Sequence, residues 1–370
     1  MENLTVKFKM RFSLFLFPIL LLLTGCSDSS TSTDGLDSNF DWIIPEDQIV
    51  SGGPGKDGIP SLDDPQFAPV SDINYIPDDR RVIGIKVGNT VKAYPHQILD
   101  WHEIANDQVG DKSVAITFCP LTGTAIGWNR KVNGTVTEFG VSGLLFRNNL
   151  VPYDRNSDSR WSQMQLRSIA GTLSKTDIET IDLIETSWET WKEMYPESEI
   201  LTRETGFSRN YEGFAYGEDY STNDSNILFP IQNPDDRLPN KDRVHGVIAQ
   251  QPANQQAVAK AYPINDFGEQ VAVINDQVGE QNIIVVGSTK HDIAASFEAT
   301  LNDGTQLNFE PVQDSLPVVM KDQEGNRWDL FGYAVDGPRQ GERLTPTLSY
   351  TGYWFGWADF FPGIEIYQAN

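Results

Sequence analysis

The most restrictive feature of the sequence is an internal repeat. The segment that begins at Val91 reads "VKAYPHQILDWHEIANDQVGDKSVAITF", and the segment that begins at Ala259 reads "AKAYPINDFGEQVAVINDQVGEQNIIVV". The spacing between matched positions stays nearly constant along the alignment, so chance explains it poorly. We therefore predict two homologous halves, at about 82–182 and 245–350, packed as one unit, because two copies are too few for a solenoid.

Short strands dominate both halves. The runs at 114–118 and 283–286 are rich in β-branched residues and are bounded by turn residues, which is typical of strands. Asn-Gly and Asp-Gly pairs in "VNGTV" and "LNDGTQL" indicate hairpins. The clearest helix, "ETSWETWKEMYP", lies between the halves, and Thr186 with Glu189 has capping-box spacing. We predict a mainly β fold, an α+β arrangement with few short helices, in two β-rich halves.

The N-terminus has the pattern of an export signal. Lys7, Lys9 and Arg11 precede an apolar run at 12–23, and "LTGC" follows, ending at Cys26. A basic region, a short apolar region and small residues before a cut describe a secretory signal peptide, and the run is too short to span a bilayer comfortably. "LTGC" also resembles the bacterial lipobox, so we predict that Cys26 is lipidated.

These features predict three regions: a lipoprotein signal peptide at 1–25, a polar tether at 26–41 and a globular domain at 42–370. The predicted location is the cell envelope, lipid-anchored to a bacterial membrane and facing outside the cytoplasm. The net charge of −24 repels nucleic acid, so we expect no nucleic-acid partner. The membrane is contacted through the lipid, and a small ligand or a protein partner is left open. The acidic segment "YEGFAYGEDYSTNDSN" is predicted to be a solvated loop.

Positions that differ between the two copies of the repeat are candidates for a functional site, whereas shared positions are assigned to the scaffold. His102, Glu103 and Cys119 lie in the first half, whereas the matching positions of the second half hold valine, alanine and serine. Histidine, glutamate and cysteine are residue types that titrate, ligate or attack. If Cys26 carries a lipid, Cys119 has no partner for an intramolecular disulfide. Each residue also fits a plainer role: a hydrogen-bonded core histidine, a solvated carboxylate and a small buried thiol.

One hypothesis is a cysteine-dependent enzyme. Cys119 would be the nucleophile, His102 the base and Glu103 the residue that orients it, since a thiolate needs a base or a positive charge nearby. We expect Arg147 and the "LTGT" segment, with Thr122 and Thr124, to contact the substrate.

Two other hypotheses stay open. An accessory or ligand-binding lipoprotein would hold a small ligand, a glycan or a partner in a cleft between the halves. A metal site would use His102 and Cys119, with His96 or Met164 as further ligands, because sulfur with imidazole suits copper or zinc. The sequence lacks a phosphate-cradling glycine motif and a zinc-type cysteine pair, so we predict no cofactor and no defined metal site.

Several motifs together resemble the domain of unknown function 3179 (DUF3179) family. They are "AYPHQILDWHEIANDQVGDKSVAITFCPLTGTAIGW", "FGVSGLLFRNNLVPYDRNSDSRWSQ", "ETSWETWKEMYP" and "DRLPNKDRVHGV", and the likeness covers nearly all of the chain after the tether. The resemblance implies an exported prokaryotic protein that is often membrane-anchored, and it implies little about activity. Many members carry Cys-Pro-Leu-Cys at the position of residues 119–122, where this chain has Thr122 in place of the second cysteine. Because threonine cannot form a disulfide, this difference argues against a dithiol redox role here.

Overall fold

A computed structural model describes residues 40–217, 219–249, 257–301 and 303–368, and these belong to one compact unit. The signal peptide, Cys26 and the tether up to residue 39 lie outside the described residues, so those predictions stay predictions. In the part of the chain that is described, no helix is long and apolar enough to cross a membrane.

The prediction of a mainly β fold is confirmed, with 42% of residues in strands and 8% in helices. Three short α-helices are present in the described residues: α1 (His96–Leu99), α2 (Trp188–Met194) and α3 (Trp354–Phe360). Single turns of 3-10 helix lie at Glu46–Gln48, Val70–Asp72 and Ile264–Asp266.

The N-terminal part of the domain forms four sheets. A five-stranded sheet has the order Ile184–Ser187, Arg81–Val87, Thr90–Pro95, Glu199–Leu201, Phe67–Pro69. A second has the order Thr180–Ile181, Thr124–Asn129, Lys112–Cys119, Ile104–Val109. A third has the order Ile49–Ser51, Phe139–Phe146, Asn149–Asp154, Arg160–Ser162, Arg167–Ala170, and a small hairpin pairs Lys131–Val132 with Thr135–Val136.

The C-terminal part forms three sheets with the same succession of elements. The first has the order Leu348–Tyr353, Arg243–Ala249, Val258–Pro263, Glu365–Ile366. The second has the order Ala272–Val278, Gln281–Ser288, Ile293–Glu298, and the third has the order Phe309–Pro311, Val318–Asp322, Arg327–Asp329, Ala334–Asp336. Glu199–Leu201 pairs in parallel with Thr90–Pro95, and Glu365–Ile366 pairs in parallel with Val258–Pro263, whereas the other ladders are antiparallel. The homology of the two halves stays a prediction from the sequence.

A tryptophan packed on a glycine fixes a helix to each first sheet. Trp191 of α2 lies so close to Gly84 that a Cβ there would sit 2.0 Å from the indole ring. Trp357 of α3 lies over Gly246 in the same manner, at 2.2 Å. Because only glycine leaves room for the ring, both helices depend on the absence of one side chain.

The cap of α2 differs from the predicted one. Ser187, not Thr186, caps the helix: its hydroxyl accepts a hydrogen bond from the main-chain N of Thr190 at 3.2 Å. Thr186 is the penultimate residue of a strand, and its hydroxyl donates to the carbonyl oxygen of His291 at 2.7 Å. The helix therefore begins one residue later than the capping-box pattern predicts, because the strand runs directly into the helix.

A line of charged side chains connects the two parts of the domain. Asp292 pairs with Arg243, and its other oxygen lies 2.5 Å from Nε of Arg81. Arg243 also lies 3.3 Å from Glu185, whose carboxylate lies 3.0 Å from Nε2 of His96. Burial alone would raise the pKa of Asp292, but Arg243 and Arg81 lower it to about 2, so the carboxylate stays charged.

Candidate functional site

A cavity of about 230 Å³ opens where α1, the end of the strand Lys112–Cys119, an irregular segment and the C-terminal part of the domain meet. Five of its wall residues are aromatic and five are charged or titratable: Phe118, Phe214, Tyr216, Tyr220, Tyr353, Asp79, Arg80, Arg81, His96 and Asp100. A concave site with apolar walls and a few polar groups is the usual form of a small-molecule site.

The helix α1 places two titratable groups in this wall. Pro95 ends the preceding strand with no N–H to donate, and α1 begins at His96. Nε2 of His96 lies 3.0 Å from the buried carboxylate of Glu185, and its ring centroid lies 4.4 Å from that of Phe118. Burial lowers the pKa of His96 more than Glu185 raises it, so the ring is largely neutral at neutral pH.

Asp100 is a carboxyl in the cavity wall that is only 9% exposed. Burial raises its pKa to about 7, and the nearby Arg80 acts in the opposite direction. Arg80 lies with its guanidinium carbon 4.4 Å from the ring centroid of Phe214, inside the same wall. Asp100 can therefore exchange a proton near neutral pH, which is a common property of functional carboxyls.

Glu103 and Cys119 lie behind this wall. Glu103 has a φ of 58° in the turn after α1, and its carboxyl accepts a hydrogen bond from Tyr216 at 3.3 Å. Burial raises the pKa of Glu103 to about 8, and the charge of Asp100 adds to the rise. The Cys119 thiol is 1% exposed and its sulfur lies 3.7 Å from the carbonyl oxygen of Asn148. Burial, with the negative charge of Glu103, raises the pKa of Cys119, so the thiol form is favoured.

His102 points away from these two residues. Its Nδ1 lies 2.7 Å from the carbonyl oxygen of Pro60, and its Nε2 lies 2.7 Å from the hydroxyl of Tyr211. Both ring nitrogens are thus engaged on the other side of α1. The structure places Glu103 and Cys119 close enough for the charge of Glu103 to raise the pKa of the thiol. His102 is not part of this pair, because its ring binds Pro60 and Tyr211.

The residues predicted to contact a substrate also lie outside the cavity wall. Thr122 and Thr124 are fully buried and belong to one hydrogen-bond network with Asn149 and Gln163, at 2.7 to 3.1 Å. Arg147 donates to the carbonyl oxygen of Asp359 at 2.5 Å. These side chains form a polar network of the core and of the joint with α3.

The acidic segment 211–226 corrects a sequence prediction. It contains no helix or strand in its described residues, but it is not simply a solvated loop, because Tyr211 and Tyr220 are 7% and 4% exposed. Tyr211 binds His102, Tyr216 binds Glu103, and the Tyr220 hydroxyl donates to the carbonyl oxygen of Leu121 at 2.8 Å. The segment has no counterpart in the repeat and no periodicity, so charge alone shaped the prediction.

Lys241 is a further residue that the sequence reasoning missed. It is 7% exposed, and its Nζ has no hydrogen-bond partner among the described residues. The nitrogen lies 3.3 Å from the ring centroid of Tyr220 and 5.0 Å from that of Tyr353. Burial lowers the pKa of Lys241 to about 7, although Asp224 and Cys119 raise it. No sequence pattern marks a single lysine ahead of a strand as buried.

The metal hypothesis gains no support from the arrangement. Across the described ranges, no group of three or more His, Cys, Asp and Glu side chains is placed to hold a metal ion. Met164, one of the further ligands considered, is buried beside Gly356.

The comparisons with known proteins identify the family. The model of the family described as "Protein of unknown function (DUF3179)" matches residues 56–364, so the chain belongs to this family. No curated protein and no solved structure matches the chain significantly.

Proposed function

We propose that this member of the DUF3179 family is a ligand-binding protein of the cell envelope, and that a small molecule occupies the cavity beside α1. The observation that carries the proposal is the cavity wall, which joins titratable groups of α1 to a row of aromatic rings. Walls of this composition bury most of a small ligand and orient it through a few polar contacts.

The wall favours a ligand with one apolar face and at least one polar or charged group. Phe118, Phe214 and Tyr353 provide apolar surface, whereas Arg80 and Asp100 provide one cation and one carboxyl. Amino acids, oxo acids and monosaccharides are of a size and polarity that suit a cavity of about 230 Å³.

The cysteine-enzyme alternative has less support. A nucleophilic cysteine needs a populated thiolate, but the thiol of Cys119 is buried and its pKa is raised. The proposed base, His102, has both nitrogens engaged by Pro60 and Tyr211. Ligand binding requires neither a thiolate nor a free imidazole.

A blocked cavity tests the proposal. Ala215 lines the cavity, so Ala215→Trp fills part of the space. We expect at least one compound in a panel of amino acids, oxo acids and monosaccharides to raise the melting temperature of the wild type and not that of Ala215→Trp. Ser71→Trp, on an exposed turn away from the cavity, is the matched control and keeps the response. Equal stabilisation of wild type and Ala215→Trp by every active compound would refute the site.

Attachment to the membrane through Cys26 is the second part of the proposal, and the basic, apolar and lipobox regions of the sequence support it. Cys26→Ser should move the protein from the membrane fraction to the soluble fraction of the envelope. Unchanged fractionation would contradict the anchor and leave the cavity proposal intact.

A further inference from the structure

Lys241 is a buried lysine beside residues that line the cavity. A lysine is seldom buried without an acceptor for its ammonium group, because desolvation of the charge is costly. Here the side chain is 7% exposed, its Nζ has no hydrogen-bond partner among the described residues, and three aromatic rings surround it.

Two of the three surrounding rings belong to the cavity wall. The ring centroids of Tyr220 and Tyr353, which line the cavity, lie 3.3 and 5.0 Å from Nζ, and that of Phe355, which does not line it, lies at 5.2 Å. Lys241 itself is not among the residues that line the cavity, so a compound in the cavity must pass one of these two tyrosine rings to reach the amine. Tyr220 belongs to the irregular segment 211–226; its hydroxyl donates to the carbonyl oxygen of Leu121 at 2.8 Å, and its main-chain N donates to that of Gly217 at 3.1 Å.

From this arrangement we propose that Lys241 is a nucleophilic amine and that it forms an imine with a small carbonyl compound, an aldehyde or a 2-oxo acid, that enters the cavity. The inference rests on the proposed function, because the compound reaches the amine through the same cavity. Arg80 in the wall suits the carboxylate of an oxo acid, since guanidinium groups bind carboxylates through paired hydrogen bonds.

The chemistry needs a neutral amine. Its lone pair forms the C–N bond, and the carbonyl oxygen leaves as water with the two hydrogens of the nitrogen. The groups that face Nζ are Asp224, the thiol of Cys119 and the two tyrosines, and burial outweighs the two acids in lowering the pKa to about 7. At pH 7 the neutral fraction of such an amine exceeds that of an ordinary lysine by roughly a thousandfold.

Reductive trapping tests the inference on the whole protein. Glyoxylate and sodium cyanoborohydride are added at pH 7; the hydride reduces any imine to a stable secondary amine, and peptide mass spectrometry maps it. We expect Lys241 to be modified at least tenfold faster than the exposed Lys131 and Lys290. Its rate should level off above about pH 8, whereas the rates at Lys131 and Lys290 continue to rise.

Modification of Lys241 no faster than of the exposed lysines would overturn the inference. Ala215→Trp separates it from the proposed function, because a filled cavity should slow trapping at Lys241 and leave the exposed lysines unchanged. Equal trapping at Lys241 in wild type and Ala215→Trp would refute arrival through the cavity. If the compound panel binds the cavity while Lys241 stays unmodified, the inference fails and the proposed function stands.

Discussion

The cavity beside α1 and a second cavity in the C-terminal part of the domain differ in the chemistry of their walls. The second cavity, of about 280 Å³, is lined by polar and aliphatic residues: Glu269, Gln270, Val271, Lys290, His291 and residues 312–316. It lacks the aromatic row and the buried carboxyl of the first cavity. The sequence alignment places Ile264 and Gly268 where α1 has His96 and Asp100.

One packing difference accounts for part of the contrast. Phe118 lines the first cavity, whereas the matching position is Gly287, and Phe267 packs so closely on it that a Cβ would lie 2.7 Å from the ring. The C-terminal part thus places Phe267 over the matching strand position. The N-terminal part places the side chain of Phe118 in a cavity wall, together with tyrosines of the segment 211–226. A few residue differences around a matching strand end therefore accompany close core packing in one part and a cavity wall in the other.

The largest expected effect on stability concerns the tryptophan–glycine contact that both parts of the domain contain. Gly84→Ala and Gly246→Ala each place a methyl group within 2.2 Å of an indole ring, so each should lower the free energy of unfolding by about 3 kcal/mol. Urea unfolding measures both. Gly55→Ala, where no atom lies within 4 Å, is the control. A loss below about 1 kcal/mol in only one variant would show that the two tryptophan contacts are not equivalent.

A second experiment addresses Glu103, the buried carboxyl behind the wall of the first cavity. The pKa of Glu103 is about 8 in the folded protein and 4.5 as a reference for the unfolded chain. Between these values the folded state holds a proton that the unfolded chain has released, so the free energy of unfolding falls as the pH rises. Glu103→Gln removes this loss, and from pH 5 to 8 its stability should rise relative to wild type by roughly 2 kcal/mol or more.

Urea titrations at several pH values measure this difference. The exposed Glu280→Gln is the control for removing one negative charge and should run parallel to the wild type. A constant offset between Glu103→Gln and wild type at every pH would contradict a buried, protonated carboxyl.

The smallest expected effect on stability is that of replacing Cys119. Cys119→Ser installs the residue found at the matching position, Ser288, and should cost about 1 kcal/mol, because the hydroxyl can still donate to the carbonyl oxygen of Asn148. In the native wild type at pH 8, iodoacetamide should modify Cys119 at least a hundredfold more slowly than in urea. Rapid native modification would revive the thiol as a reactive group.

The strands, the position of α2 and the family were predictable because hydrophobic alternation, turn residues and family motifs are local in the sequence. Glu103 and Cys119 emerged from comparing the halves, and both lie behind the cavity wall. His102 emerged from the same comparison, but its ring binds Pro60 and Tyr211 instead, because the turn with positive φ at Glu103 sends neighbouring side chains in different directions. Lys241, Tyr216 and Tyr220 could not be predicted, since their burial depends on contacts between segments distant in the sequence.

The line of polar and charged contacts from Arg81 through Asp292, Arg243 and Glu185 to His96 crosses twice between the two parts of the domain. Cutting the chain between them would leave Asp292 without Arg81, and would leave Glu185 facing His96 without Arg243. Each fragment would then carry a buried charge that has lost a partner, which is strongly destabilising. However similar they look, the two parts are therefore not interchangeable modules, and neither should fold as a free-standing protein.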